Sequence, residues 1–296
     1  MPLASQRPRR SVLYVPASNE RALAKISSLA CDAAIVDLED AVAPADKAAA
    51  RERLAAFIKQ RPGGGREIII RINPIASEWG PDDLRLASAL QPDGILLPKV
   101  DTPRDILEAG DVLDDNFAED ATGIWAMIET PKAILNLGAI AELGRDQASR
   151  LACFVAGTND LAGETGIQAA PDRRYLVPLL VQMVVAARAG GLAALDGVVN
   201  DFGDAERFAR ECEEAAAMGF DGKTLIHPDQ IEPANKAFTP GKGTIAEAHA
   251  MVAAFALPEN VGKSVIAVNG RMVERLHLTQ AEGLLAKAAM IGASKT

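Results

Sequence analysis

The chain has 296 residues, of which 49% are hydrophobic and only 4% aromatic, and its formal net charge is −9. No apolar stretch reaches the ~20 residues that a membrane helix needs, and the arginines at 7, 9 and 10 are the only basic tract, so membrane and nucleic acid are both excluded as partners. Cys31, Cys153 and Cys212 lack CxxC spacing, and no apolar leader follows the N-terminal arginines, which together predict a reduced, cytoplasmic protein without a secretory signal.

Eight short apolar runs recur along the chain: Ser11–Pro16, Ala33–Asp40, Glu67–Asn73, Gly94–Lys99, Gly123–Thr130, Leu151–Leu161, Ala193–Val199 and Gly222–Pro228. They are near-continuous rather than alternating, as strands buried on both faces of a parallel sheet should be. Helix-like stretches separate them. Thr102-Pro103 and Thr130-Pro131 each set a capping hydroxyl before a proline at the first helical position, and Ser18, Asp46 and Asp204 read as further N-caps. Gly144, Gly190 and Gly219 read as helix stops.

This rhythm predicts an α/β fold, a (β/α)8 TIM barrel over residues 1–240 that closes with the helix Asp229–Phe238. Pro240-Gly241-Lys242-Gly243 reads as a connector to a helical tail, 241–296. The tail is expected to hold helices at Ile245–Phe255 and Thr279–Ala289 around a turn-rich piece, Val265–Val273. It would pack on its own barrel or swap with a neighbouring subunit.

In such a barrel the strand ends carry the chemistry. The residues there are Asp37, Glu39, Asp40, Arg71, Asn73, Lys99, Glu129, Asp160 and His227. Glu129 and Asp160 end the fifth and sixth runs, so neighbouring strands bring two carboxylates together, a donor set suited to one Mg²⁺. Singly, each could instead cap a helix or pair with a lysine. Glu39 and Asp40 could hold the metal's waters or form a salt-bridged ring at the mouth. Arg71 could grip a substrate carboxylate or an oxyanion, and could also pair with Asp37 or Glu39. Lys99 could form a Schiff base if neutral, but its acidic surroundings favour a charged, paired amine. His227, followed by proline, reads as a hydrogen-bonded structural residue.

The segments Leu13-Tyr14-Val15-Pro16, Val36-Asp37-Leu38-Glu39-Asp40, Arg71-Ile72-Asn73, Leu97-Pro98-Lys99, Ile128-Glu129-Thr130, Asp160-Leu161, Asp196-Gly197-Val198 and 222–231 resemble, as an ordered set, the citrate lyase β-subunit-like family. That family includes malyl-CoA lyases and belongs with the HpcH/HpaI aldolases. The resemblance implies a Mg²⁺-binding TIM barrel, assembled as a homotrimer or homohexamer. It would cleave or form a 3-hydroxy-3-carboxyacyl thioester, citryl- or malyl-CoA-like, into a 2-oxo acid and an acyl thioester of CoA or of an acyl carrier protein. Carried over, Glu129 and Asp160 bind the metal and Glu39 with Asp40 support its waters. Arg71 contacts the substrate, Glu129 lies against it, and Lys25 meets a CoA phosphate. Asn269–Glu274 resembles the family's lid segment, which carries a catalytic aspartate into the neighbouring site, with Glu274 standing in its place. The helix over Tyr175–Gln182 lacks the family's arginine–serine pair. Two other outcomes stay open: a CoA thioesterase on the same scaffold, or a non-catalytic paralogue that works only with an acyl carrier protein.

Overall fold

The computed structural model describes residues 7–60, 65–116, 121–168 and 172–293. The termini of the two expected domains, at 1–6 and 294–296, lie outside the described residues. Two compact units are present, one spanning Arg9–Phe238 and the other taking in the tail from Thr239 onward.

The first unit is a closed barrel of eight parallel strands in sequence order, β1 (Ser11–Pro16), β2 (Ala33–Asp37), β3 (Glu67–Arg71), β4 (Gly94–Leu97), β5 (Gly123–Ile128), β6 (Leu151–Ala156), β7 (Ala193–Asp196) and β8 (Gly222–Leu225). Helices α1 (Glu20–Lys25), α2 (Lys47–Lys59), α3 (Gly80–Leu90), α4 (Pro103–Asp115), α5 (Pro131–Glu142), α6 (Thr158–Thr165), α7 (Val177–Gly190), α8 (Ala205–Met218) and α9 (Ile231–Ala237) intervene or follow. Alternation along each strand sends one set of side chains inward and the other against the helices. Val12, Ile35, Ile69, Leu96, Trp125, Val155 and Leu195 fill the interior. At the bottom, Arg9 forms a two-bond pair with Glu67 (2.7 and 2.8 Å), and its guanidinium lies 4.6 Å from the Trp125 ring. Continued upward, the same inward parity runs from Ile35 to Asp37, from Ile69 to Arg71 and from Met127 to Glu129. Apolar filling therefore gives way to charge at the mouth.

β1 ends with its run at Pro16, and the other seven strands stop earlier than theirs. β2 ends at Asp37 rather than Asp40, because the Asp37 carboxylate accepts the N–H groups of Glu39 (2.8 Å) and Ala41 (3.2 Å) and turns the chain. β3 ends at Arg71, not Asn73, whose N–H donates to the Asp83 side chain. β4 ends at Leu97, where Pro98 and a left-handed Lys99 (φ 52°) break the ladder. β5 stops at Ile128 because Thr130 caps α5, and β7 stops at Asp196, short of Val199. β8 ends at Leu225 because the Gln230 side chain takes the Ile226 N–H. The largest correction is at β6, which ends at Ala156. Gly157 is then the N-cap residue of α6, so Asp160 lies in the first turn of a helix and not on a strand.

Caps at Thr102, Thr130 and Asp204 form as expected. Asn19, not Ser18, caps α1 by accepting the Ala22 N–H. Asp46 makes no capping bond, because a single 3-10 turn, Pro44–Asp46, leads into α2. Gly219 (φ 98°) ends α8, whereas α7 runs through Gly190 and stops at Gly191 (φ 73°). Gly144 lies inside a 3-10 turn, Leu143–Arg145, after α5.

The tail unit holds α10 (Lys242–Ala256) and α11 (Arg275–Ala293), both longer than expected. The expected turn-rich piece is an antiparallel hairpin of β9 (Val265–Val268) and β10 (Arg271–Glu274). Asn269 (φ 49°) and Gly270 (φ 74°) make its two-residue turn, both left-handed as the twist of a hairpin demands. Phe255, Ile266 and Val273 form its small core. Among the described residues, no helix is long and apolar enough to cross a membrane. All three cysteines are free and buried, as packing residues should be.

Candidate active site at the barrel mouth

A cavity of about 300 Å³ opens at the mouth. Asp37, Asp40, Arg71, Met127, Gly157 and Asp160 are among the residues that line it. The register pairs Asp37 directly with Arg71 across β2 and β3. Their side chains form a two-pronged ion pair, Nε to Oδ1 at 2.7 Å and Nη2 to Oδ2 at 2.5 Å. The remaining Arg71 nitrogen, Nη1, lies 2.8 Å from Glu39 and 3.6 Å from Asp40. The guanidinium also stacks over Tyr14, 4.8 Å from the ring centroid. Arg71 is thus held by Asp37, Glu39, Asp40 and Tyr14 while it lines the cavity. Burial pushes the Glu39 carboxyl up to about 8 against the pull of Arg71, with Asp40, Glu129 and Asp37 adding to the rise.

Glu129 and Asp160 meet around Lys99. Glu129 is buried, and burial pushes its carboxyl up to about 7 although Lys99 opposes the rise. Its Oε1 accepts the Lys99 N–H at 2.7 Å. Among the described residues its Oε2 accepts no hydrogen bond. Gly157 packs flat against it: a Cβ there would lie 2.3 Å from the Glu129 Cβ and 2.5 Å from Oε2. Asp160 bonds the Lys99 ammonium directly, and Glu164, one turn on in α6, lies 3.8 Å from the same nitrogen. Burial alone would lower the Lys99 amine, but the Asp160 bond and the Glu129 and Glu164 charges hold it above its ordinary value. A charged, paired lysine is the opposite of what a Schiff base needs.

Two hard-oxygen carboxylates, one with a free oxygen, fit the needs of Mg²⁺, which is commonly held by one or two carboxylates with water and substrate completing the shell. Among the described residues, no three carboxylate, imidazole or thiol groups converge tightly enough to hold an ion unaided.

Behind the loop that carries Glu39 and Asp40 lies a buried brace. Lys47 Nζ donates to the Leu38 carbonyl (2.7 Å), the Glu39 carbonyl (2.9 Å) and Asn73 Oδ1 (2.8 Å), using all three of its protons. Asn73 in turn donates to Asp83 at 2.6 Å. Asn73 is therefore a scaffold residue rather than a cavity residue. His227 accepts the Asp229 N–H at 3.3 Å and stacks on Phe202 at 4.9 Å, consistent with a structural role.

Lys25 is exposed on α1 and is not among the residues lining the cavity. Glu274 belongs to the tail unit, where it is exposed on β10 and its N–H donates to His277 Nδ1 at 3.0 Å. Sequence reasoning missed Lys47 and Glu164, and it assigned no site role to Tyr14. Lys47 was hidden because a lysine in a helix normally faces solvent. Glu164 had a legible signal, since four residues after Asp160 it shares that residue's helical face.

Residues 10–228 match the model of the HpcH/HpaI aldolase/citrate lyase family. The chain is 44% identical over 286 residues to the (3S)-malyl-CoA thioesterase of Cereibacter sphaeroides, covering 97% of this chain and 96% of that one. It is 34% identical over 294 residues to the mitochondrial citramalyl-CoA lyase of Rattus norvegicus, covering 96% and 87%. Among solved structures, the CitE protein of Mycobacterium tuberculosis, in complex with magnesium, acetoacetate and coenzyme A, matches with a TM-score of 0.76 and 28% identity, covering 96% of this chain and 99% of that one. The citrate lyase beta subunit of the same organism, complexed with oxaloacetate and magnesium, matches with a TM-score of 0.67 and 29% identity over 79% of this chain and 99% of that one. Inward charge at the barrel mouth, the ordered strand-end motifs and these likenesses agree: the chain is an enzyme of the HpcH/HpaI aldolase/citrate lyase family.

Proposed function

We propose that this enzyme uses Mg²⁺, held by Glu129 and Asp160, to cleave or form the carbon–carbon bond of a malyl-CoA-like thioester, yielding a 2-oxo acid and an acyl thioester. The observation that carries this reading is the pair of carboxylates that meet at Lys99, Glu129 just after β5 and Asp160 in α6, with Asp160 and Arg71 lining one cavity. When bound, a divalent ion supplies a Lewis acid that polarises oxygens of the 2-oxo-acid half. Arg71 presents a permanent positive charge, because a guanidinium does not deprotonate in proteins. Its clamp by Asp37 and Glu39 fixes that charge before substrate arrives, so it steadies the developing enolate oxygen without reorganising; one such donor is worth about 3–4 kcal/mol. Glu39 and Asp40 would support the metal's waters. Glu274 is assigned the acid–base step, supplied by the tail of a neighbouring subunit in a trimer or hexamer, and Lys25 a contact to a CoA phosphate.

A second reading shares this substrate and site but ends in hydrolysis of the thioester. It is favoured by the 44% identity to a malyl-CoA thioesterase over almost the whole chain. It is also favoured by Glu274, whose extra methylene displaces the carboxyl from where an aspartate would hold it. Incubation with malyl-CoA separates the two outcomes. A lyase releases glyoxylate, trapped as its phenylhydrazone, and leaves the thiol esterified; a thioesterase releases free CoA thiol and malate. If malyl-CoA and citramalyl-CoA both stay intact with Mg²⁺ present, alone and with an acyl carrier protein, neither reading holds.

A further inference from the structure

Lys99 occupies an unusual place among these groups. Its backbone is left-handed, φ 52°, a conformation that costs a non-glycine residue about 1 kcal/mol or more. That twist has two consequences. It aims the Lys99 N–H at Glu129 Oε1, and it sends the side chain to the opposite carboxylate, Asp160. The ammonium then has Asp160 in direct contact, Glu129 at 3.9 Å and Glu164 at 3.8 Å. These include both carboxylates assigned to the metal. Among the described residues, the ammonium's partners are all carboxylates. One-third of the side chain is exposed, so the ammonium can leave for water without crossing protein.

We infer that Lys99 is a tethered cation that competes with the divalent ion for Glu129 and Asp160, and that the metal enters by displacing the ammonium into solvent. The inference rests on the reading of those two carboxylates as the metal's ligands. It follows from Coulomb's law at short range: an ammonium and a divalent ion cannot both lie against the same carboxylate pair without repelling each other. The competitor keeps the acidic groups compensated and makes the site select for an ion of higher charge. The arrangement weakens net metal affinity by whatever the lysine pairs contribute.

The test is Mn²⁺ binding to the full-length protein, followed by electron paramagnetic resonance, in the wild type and in Lys99→Met and Lys99→Arg. Removing the charge should tighten Mn²⁺ binding about fivefold or more, the scale of a partly exposed ion pair. Lys99→Arg should stay within about twofold of wild type, because it keeps the charge. Unchanged or weaker binding in Lys99→Met overturns the inference. Should that variant misfold, acylation of the wild-type lysines read by mass spectrometry takes its place. Added Mg²⁺ should raise labelling at Lys99; equal or reduced labelling overturns the proposal. Glu129→Gln and Asp160→Asn serve as controls. If both bind Mn²⁺ like wild type, the metal lies elsewhere and the site reading falls together with this one. If both lose it while Lys99→Met is unchanged, only the competitor role falls.

Discussion

Replacing Gly157 by alanine adds one methyl group, and the surroundings dictate a large effect. The new Cβ would stand 2.3 Å from the Glu129 Cβ and 2.5 Å from Oε2, well inside any tolerable carbon contact. Relief requires Glu129 to move by about an ångström, and a displacement of that size in a reacting group costs roughly 100-fold in rate. Overpacking costs about 1–3 kcal/mol of stability in addition. Gly163 lies in α6, the helix that Gly157 precedes, and a Cβ there meets nothing within 4 Å. Gly163→Ala should therefore stabilise by about 0.5–1 kcal/mol through helix propensity and leave turnover unchanged. Turnover of malyl-CoA and calorimetric Tm, measured on both variants, check the pair. Gly157→Ala with wild-type turnover and Tm would refute the packing of Glu129 described above.

Arg71→Ala should lower kcat/KM at least about 100-fold, since it removes a preorganised donor and leaves Asp37 without its counter-ion; steady-state kinetics with Asp37→Asn alongside would show whether the clamp matters as much as the charge. Glu67→Gln breaks the buried pair with Arg9 at the bottom of the barrel and should cost about 3 kcal/mol in urea unfolding while sparing kcat, because that pair lies at the opposite end from the mouth. Glu39 keeps its proton up to about 8 in the folded chain against an ordinary 4.5. The stability this difference gives is complete below 4.5 and is lost as pH rises through 8. Glu39→Gln should flatten the decline of Tm between pH 4.5 and 8, as thermal melts would show. Chelation with EDTA should abolish turnover, and added Mg²⁺ should restore it.

Much of this architecture is legible in the residues themselves. Each of the eight apolar runs begins at the residue where its strand begins, because burial on both faces leaves a continuous hydrophobic signature. Past β1, strand ends are not legible, since apolar residues such as Leu38, Ile72 and Leu161 continue into loops and helices where they pack equally well. What ends a strand is a side-chain hydrogen bond that hydropathy does not register, such as Gln230, four residues on, taking the Ile226 N–H. The pairing of Asp37 with Arg71 follows from adjacent strands in register, which alternation makes readable. The meeting of Lys99 with Asp160 depends on a left-handed backbone and a helix turn, and neither has a composition of its own. The tail hairpin was readable: Asn269-Gly270 between Val265–Val268 and Arg271–Glu274 is a strong short-range turn signal. Helical periodicity on either side masked it.

Glu129 and Asp160 are proposed to hold one divalent ion beside Arg71. A crystal of the protein soaked with Mg²⁺ and a 2-oxo acid tests this most directly. A single octahedral ion with oxygen ligands from both side chains and from the acid is expected; an ion bound by neither residue, with the acid elsewhere in the barrel, would overturn that assignment.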